Sequence, residues 1–302
     1  MTSTRPISRK EPVMSDFVIL TDSSADLTAE LAAQLQVAVL PLSFTLRDQI
    51  YYNYPDNREM DPKAFYDLLR QGETATTSAI NVSQYTDVLE PLLQAGKDVL
   101  ILAFSSGLST TYNSGVIAAN DLRERYPERK VYVVDTLCAS LGQGLLVYLC
   151  SRKHMDGLSL DEVYAYATET APKIAHWVTV DDLFHLKRGG RVSAATAVVG
   201  SMLSIKPIIH VDDEGRLINV GKARGRKPSL LTLAEECEKR LLDPSLPVFI
   251  SHGDCEEDAK FVAEEVHKRT GAETKLITYV GPVIGSHTGA GVIALCFVGK
   301  ER

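Results

Sequence analysis

The chain has 302 residues, 45% of them hydrophobic and 24% charged, and its 32 basic and 39 acidic side chains give a formal charge of −7. That is a globular composition, long enough for one large or two medium domains. It argues against a nucleic-acid partner, which would call for a basic face. No apolar run approaches the roughly 20 residues of a membrane span. Residues 1–15 are polar and basic with no apolar stretch behind them, so they read as a disordered tail on a cytoplasmic protein rather than as a signal peptide. The five cysteines, Cys138, Cys150, Cys237, Cys255 and Cys296, form no Cys-x-x-Cys pair and no zinc-like spacing with histidine. They read as small buried hydrophobes.

In chain order, residues 17–20 (FVIL) predict a buried strand that empties into the polar turn Thr21-Asp22-Ser23-Ser24. Asp26 or Thr28 then caps a helix carrying Leu27, Leu31 and Leu35. Residues 37–46 (VAVLPLSFTL) predict one further strand, and 47–60 a loop or hairpin insert. Asp61-Pro62 opens a helix with proline at its first position, running to about Arg70. Residues 72–81 (GETATTSAIN) read as a Thr/Ser-rich loop. Helices over 83–95 and 109–126, strands over 99–104 and 130–135, and helices over 139–152 and 160–173 complete a pattern that predicts an α/β unit with a mainly parallel sheet.

Beyond residue 172 the pattern changes. A strand (176–182) leads to a helix stopped by two glycines (183–191), a small-residue helix (192–204) and two strands around an Asp-Glu-Gly turn (206–223). Helices at 227–241 and 255–269 then alternate with strands at 247–252, 273–279 and 292–299. The expected partition is the tail 1–15, an N-terminal α/β domain over 16–165 with a mainly parallel sheet, and a C-terminal α/β domain over 166–302 with a mixed sheet.

Residues 104–115 (FSSGLSTTYNSG) follow the apolar run 98–104 with a row of hydroxyls. A strand, a Ser/Gly turn and a helix N-terminus present backbone N–H groups that attract anions. Ser105, Ser106 and Ser109 would add donors, unless one serine caps the helix and the others are solvated. A serine hydrolase needs a base and a group that orients the base. The nucleophile-elbow order G-x-S-x-G is absent, and so is the nucleotide loop GxxxxGK[ST]. Two more donor-rich stretches are 74–78 and the Gly-rich loop 281–291, where His287 stands between Ser286 and Thr288 among four glycines. The basic stretches are 187–191, followed by Ser193 as a helix cap, and 221–227, with Arg216 just before it. Each is either a solvated face or a phosphate cradle. Asp22 and Asp135 end strands as turn caps or orienting carboxylates. Asp181 and Asp182, adjacent on a strand, point to opposite faces and make a poor joint metal pair.

The ordered set VILTDSSADL, TTS, FSSGLSTTYNS, VVDTLCASLGQG, LKRGGRVS, IKPIIHVDDEGRL, KARGRK and VIGSHTGAG, spread from about residue 17 to 298, resembles the DegV family of bacterial fatty-acid-binding proteins, which includes the binding subunits of fatty acid kinase. The resemblance implies a DegV-like pair of α/β domains and an apolar tunnel for a long-chain fatty acid. It implies that Thr77, Ser105, Ser106 and His287 hold the carboxylate, and that Arg191 and Arg224 serve the head group or its phosphate. It implies no cofactor and no metal. The chain would be a carrier rather than an enzyme, presenting its acid to a separate fatty acid kinase that makes acyl-phosphate for phospholipid synthesis. A phosphate acyltransferase and peripheral contact with a membrane complete the implied partners.

The chain departs from the family pattern at Thr77-Ser78-Ala79-Ile80 (commonly Thr-Ser-Gln-Pro), Ser109-Thr110-Thr111-Tyr112 (commonly Ser-Gly-Thr-Tyr) and Gly289-Ala290-Gly291 (commonly Gly-Pro-Gly). Those changes bear on loop shape and chain selectivity. Residues 37–46 and 192–204 are the expected tunnel walls. The rival readings are an ester or thioester hydrolase using Ser106 and His287, and a lipid-sensing regulator.

Overall fold

The computed structural model describes residues 17–181, 183–192 and 204–302. The fold is α/β, with a parallel sheet in the N-terminal half and a mixed sheet later in the chain. Strands β1 (Phe17–Asp22), β2 (Val37–Leu40), β6 (Asp98–Ala103) and β7 (Val131–Asp135) form a four-stranded parallel sheet in the order β2-β1-β6-β7. The central run of β6 is apolar at every position because both faces are covered, as parallel sheets require. Val99 and Ile101 pack with Leu89 and Leu93 of α3 (Val82–Gln94) and with Ala118 and Leu122 of α4 (Thr111–Arg125). Leu100 and Leu102 face the opposite way, against Val147 and Cys150 of α5 (Ser140–Met155) and Val163 of α6 (Leu160–Thr170).

The expected single strand over 37–46 is two strands in two sheets. Pro41 lacks an N–H for a ladder, and after it the chain leaves β2 and enters β3 (Ser43–Leu46). β3 pairs antiparallel with both β4 (Gln49–Tyr52) and β5 (Ala75–Ser78). The Thr/Ser-rich stretch expected to be a loop therefore supplies strand β5, with Thr77 opposite Phe44. Its threonines are β-branched, and a polar strand on a half-exposed small sheet gives little hydrophobic alternation to read. Thr28, not Asp26, caps α1 (Ala29–Gln34), its hydroxyl accepting from Leu31 N at 3.2 Å. Asp61 caps α2 (Pro62–Arg70), as expected.

The second large sheet has six strands in the order β10-β9-β8-β13-β11-β12. These are β8 (Ile174–Thr179), β9 (Ile205–Val211), β10 (Leu217–Arg224), β11 (Val248–His252), β12 (Thr274–Tyr279) and β13 (Ile293–Val298), with only the β11/β12 pair parallel. One face is covered by α8 (Arg226–Arg240) and α9 (Glu256–Thr270) through Leu230, Leu233, Val262 and Val266. On the other face Phe249 and Cys296 join the core around α5. The short helices α7 (Phe184–Arg188) and α10 (Pro282–Thr288) stand at one end of this sheet. The glycine stretch 281–291, expected to be a loop, is largely α10, begun by Pro282 at its first turn. The tail 1–15, Asp182, Ser193 and all but the end residues of the helix expected over 192–204 lie outside the described residues.

Loop contacts help to join the sheets. The turn between β9 and β10 reaches back to the loop after β6, where Ser105 Oγ donates to Gly215 O at 2.8 Å. The side chain of Arg302 donates to the carbonyls of Leu137 at 2.5 Å, Ala171 at 2.5 Å and Asp212 at 3.3 Å, tying both halves to the end of the chain. Gly107 lies flat against the same turn, and a Cβ there would fall 2.5 Å from Glu214 O and 2.8 Å from Gly215 O. Both obstacles are backbone, so Gly107→Ala must displace the turn. The expected cost is about 1–3 kcal/mol, read as a lowered urea midpoint. An unchanged midpoint would mean that the turn is not seated there.

Candidate functional site

Between the inner face of the mixed sheet and the loops of the parallel sheet lies a cavity of about 420 Å³, within the roughly 300–1,000 Å³ of small-molecule sites. Its apolar wall comes from Val178 of β8, Ile209 and Val211 of β9, Leu217 of β10 and Ala294 of β13, faced by Phe104 and Leu108 from the loop after β6. These side chains share a face because strand residues two apart do. Val280, Val283 and Ile284 close the side along α10.

At one end the wall becomes polar. Thr77 Oγ1 lies 2.9 Å from His287 Nε2, which joins β5 to the last turn of α10. Burial pushes the His287 imidazole down to about 4, with the Arg191 guanidinium adding to the shift, so the ring is neutral at ordinary pH. Its Nδ1 is buried with no hydrogen-bond partner among the described residues. The backbone of Gly189 covers that side so closely that a Cβ on Gly189 would sit 2.2 Å from Nδ1. A buried N–H without an acceptor is costlier than an under-used lone pair. The ring proton therefore belongs on Nε2, donating to Thr77 Oγ1 and leaving the Thr77 hydroxyl hydrogen for a ligand. Arg191 spans the mouth, its Nε donating to Leu108 O at 3.4 Å and its Nη1 to Gly189 O.

Of the sequence-predicted residues, Thr77, Ser106, Arg191 and His287 all line the cavity. Ser105 and Arg224 do not. Ser105 is buried, with its hydroxyl engaged to Gly215 O and accepting from Gly107 N at 3.1 Å. Arg224 is exposed at the end of β10, opposite Ile205. Asp22 and Asp135 secure the loop between Phe104 and Ser106. Asp22 Oδ2 accepts from Phe104 N at 2.8 Å, and Asp135 Oδ1 accepts from Ser106 N at 3.1 Å. Burial raises the Asp22 carboxyl above its usual range, opposed by its hydrogen bonds to Ser24, Phe104 and Gln143.

Sequence reasoning missed Ser140 and His176, which also line the cavity. The signal for Ser140 was its place at the junction of strand, loop and helix. For His176 there was only a lone histidine within a strand. For a hydrolase the arrangement is unfavourable: one nitrogen of His287 is engaged with Thr77, the other is covered by Gly189, and among the described residues no carboxylate orients the ring. Among the described residues no helix is long and apolar enough to cross a membrane.

The fold and the cavity define an α/β protein of two large sheets that encloses an apolar ligand chamber with a polar mouth. The chain belongs to the DegV family, whose model, described as an uncharacterised protein of the DegV family, matches residues 16–300. A DegV domain-containing protein of Clostridium perfringens is 46% identical over 290 residues, covering 96% of this chain and 99% of its own. One from Lactococcus lactis is 35% identical over 286 residues, covering 94% and 98%. Among solved structures, a DegV lipid-binding protein from Thermotoga maritima superposes with a TM-score of 0.83 at 28% identity, over 95% of this chain and 99% of its own. A DegV family protein from Thermus thermophilus, described for its fatty acid binding, gives 0.82 at 30% over 93% and 98%. DegV of Bacillus subtilis, described as a fatty acid binding protein, gives 0.77 at 30% over 93% and 98%.

The lowered pKa of His287 has a consequence for stability. Between its unfolded value near 6.5 and its folded value of about 4, the unfolded chain binds the extra proton and the folded chain does not. Its contribution is therefore intact above about pH 6.5 and lost as pH falls through that window. His287→Gln keeps a partner for Thr77 but does not titrate. Its melting temperature should fall less steeply than that of the unsubstituted protein between pH 6.5 and 4, and equal slopes would exclude a neutral buried His287.

Proposed function

We propose that this chain binds a long-chain fatty acid in the cavity, with the carboxylate at Thr77, Ser106 and Arg191 and the acyl chain along the wall of Val178, Ile209 and Ala294. The single observation that carries the reading is an apolar chamber of about 420 Å³ with a neutral Thr77–His287 pair and a guanidinium at its mouth. The fatty-acid-binding descriptions of the Thermus and Bacillus structures support it. Burying the roughly fourteen methylenes of a sixteen-carbon acid yields on the order of 11 kcal/mol before the costs of ordering. The carboxylate enters only if it is paired. Arg191 supplies the charge and Thr77 a hydrogen bond, while His287 orients Thr77.

The bound acid is then presented to a separate fatty acid kinase. A carboxylate oxygen attacks the γ-phosphorus of ATP held by that partner, the bond to the bridging oxygen breaks, and ADP leaves as acyl-phosphate forms. Arg191 at the mouth and the exposed Arg224 are the cations that would meet the phosphate, and a phosphate acyltransferase would take up the product. In this role the chain is a cytoplasmic carrier with no catalytic residue of its own.

The binding step is tested by denaturing the purified protein, extracting it with organic solvent and weighing co-purified acids by mass spectrometry. Near-stoichiometric acid should be found, reduced at least tenfold in a Thr77→Val/His287→Ala variant. No acid, and no uptake of added palmitate or oleate, would sink the carrier. The second step is read with kinase and ATP. Arg191→Ala should retain some lipid yet form acyl-phosphate roughly tenfold or more slowly per bound acid. An unchanged rate would remove Arg191 from the transfer.

A further inference from the structure

The chamber has a closed end. On β8, Val178 and His176 line it, and Ile174, next on the same face, is packed in the core around α5. Val292, just before β13, and Ala294 within it also line the chamber, and Cys296, next on that face, belongs to the same core. Helix α5 stands so close to the sheet that a Cβ on Gly142 would lie 1.8 Å from His176 Nε2. The chamber therefore stops where α5 begins, and Ala139 and Ser140 form its end wall.

Behind this wall lies a smaller hollow of about 60 Å³, whose lining includes Ser23, Asp26, Asn53 and Gly281. The partition between the two spaces is thin. Ser140 Oγ, on the chamber side, donates to Asp26 Oδ2 at 2.5 Å. Leu42, also on the chamber side, donates its N–H to Ser23 Oγ at 2.9 Å. Val280 lines the chamber, and its chain neighbour Gly281 lines the hollow. Asp26 Oδ1 accepts from Gly281 N at 3.0 Å, so one carboxyl holds the starts of α5 and α10 together across the partition. Ser140 Oγ also lies 2.8 Å from Ser251 Oγ. These polar groups satisfy one another. An acyl chain gains no hydrogen bond from them and would have to break buried ones to pass.

We propose that the chamber measures acyl chain length, taking a straight-chain acid of about sixteen carbons, and that Asp26, behind Ser140, is the stop. This deepens the carrier reading and rests on it. A methylene is close to a water molecule in size and takes about 30 Å³. A space of about 420 Å³ therefore holds about fourteen of them, the number in a sixteen-carbon acid between the carboxylate at the mouth and the methyl end. An acid of twenty carbons brings four more, roughly 120 Å³, for which the closed end leaves no room. Trimming Asp26 to alanine removes a carboxyl group and joins the hollow of about 60 Å³ to the chamber. Together these give space for about four methylenes.

The test is a competition. The delipidated full-length protein is incubated with an equimolar mixture of saturated straight-chain acids of twelve to twenty carbons, and the retained acids are extracted and weighed by mass spectrometry. For the unsubstituted protein retention should peak at about sixteen carbons, with the twenty-carbon acid roughly tenfold or more below the peak. Asp26→Ala should raise the twenty-carbon acid roughly tenfold relative to the sixteen-carbon acid. Ala294→Leu leaves the partition in place, adds three carbons to the chamber wall, and should move the peak down to about twelve to fourteen carbons. A flat distribution in the unsubstituted protein, or a peak that neither substitution moves, overturns the proposal and leaves the carrier intact. A peak that Ala294→Leu moves, but that an Asp26→Ala protein with a cooperative melting curve does not, overturns Asp26 as the stop. Retention of no acid by the unsubstituted protein overturns the carrier reading and this one together.

Discussion

Helix α5 has almost no solvent face. Twelve of its sixteen residues are buried, from Ser140 through His154, because it lies between the parallel sheet and the mixed sheet and must satisfy both. A helix apolar on all sides is stable only when packed on all sides, so neither sheet is complete without it. Leu100 and Leu102 of one sheet and Phe249 and Cys296 of the other share its core. The same constraint makes the cavity. Where α5 begins, at Ala139 and Ser140, the two layers diverge, and the space between them is lined by the inner faces of β8, β9 and β13 on one side and the Phe104–Leu108 loop on the other.

The polar groups around that space fall into two kinds with different physics. Asp22, Asp135 and Ser105 are engaged with backbone and hold a loop in place. Thr77, Arg191 and Ser106 present themselves to the chamber. Asp26 connects the kinds: its carboxyl, pushed up to about 7 by burial against opposing hydrogen bonds from Ser140 and Gly281, ties the start of α5 to the start of α10. An apolar chamber needs this division. Loops that approach it carry backbone groups that must be satisfied internally, and only the remaining donors stay open to the chamber.

Much of this was legible in the chain. The apolar runs 17–20 and 99–104 marked strands, found as β1 and β6, and Asp61-Pro62 had the chemistry of a helix start. The hydroxyl row after Phe104 marked a loop that does line the cavity through Ser106, and the glycines around His287 marked close approach. What the row could not disclose was the division of labour between neighbours: Ser105 and Ser106 are identical in composition, and only the arrival of Gly215 from the distant β9–β10 turn separates them. Thr77 stands in a strand where the sequence predicts a loop, because β5 is short and polar and gains its pairing from β3 rather than from its own pattern. His176 was invisible because nothing local distinguishes a histidine capping a remote helix from one filling a core.

The departures from the family pattern acquire meaning from the same geometry. Ala79, where glutamine is common, is part of the cavity lining, next to Thr77 and Ser78. Ile80, where proline is common, is buried in the core, and its N–H donates to Thr111 Oγ1 at 3.4 Å, a bond that proline could not make. The strand that bears Thr77 is thus anchored to α4 by a backbone donor and a core side chain rather than by a rigid ring. The Thr77 hydroxyl that lines the chamber has its partner in His287, while the wall beside it is the small, apolar Ala79. Of these two positions Ala79 borders the chamber and Ile80 does not, so the first shapes the wall directly while the second acts through the packing that seats the Thr77 strand.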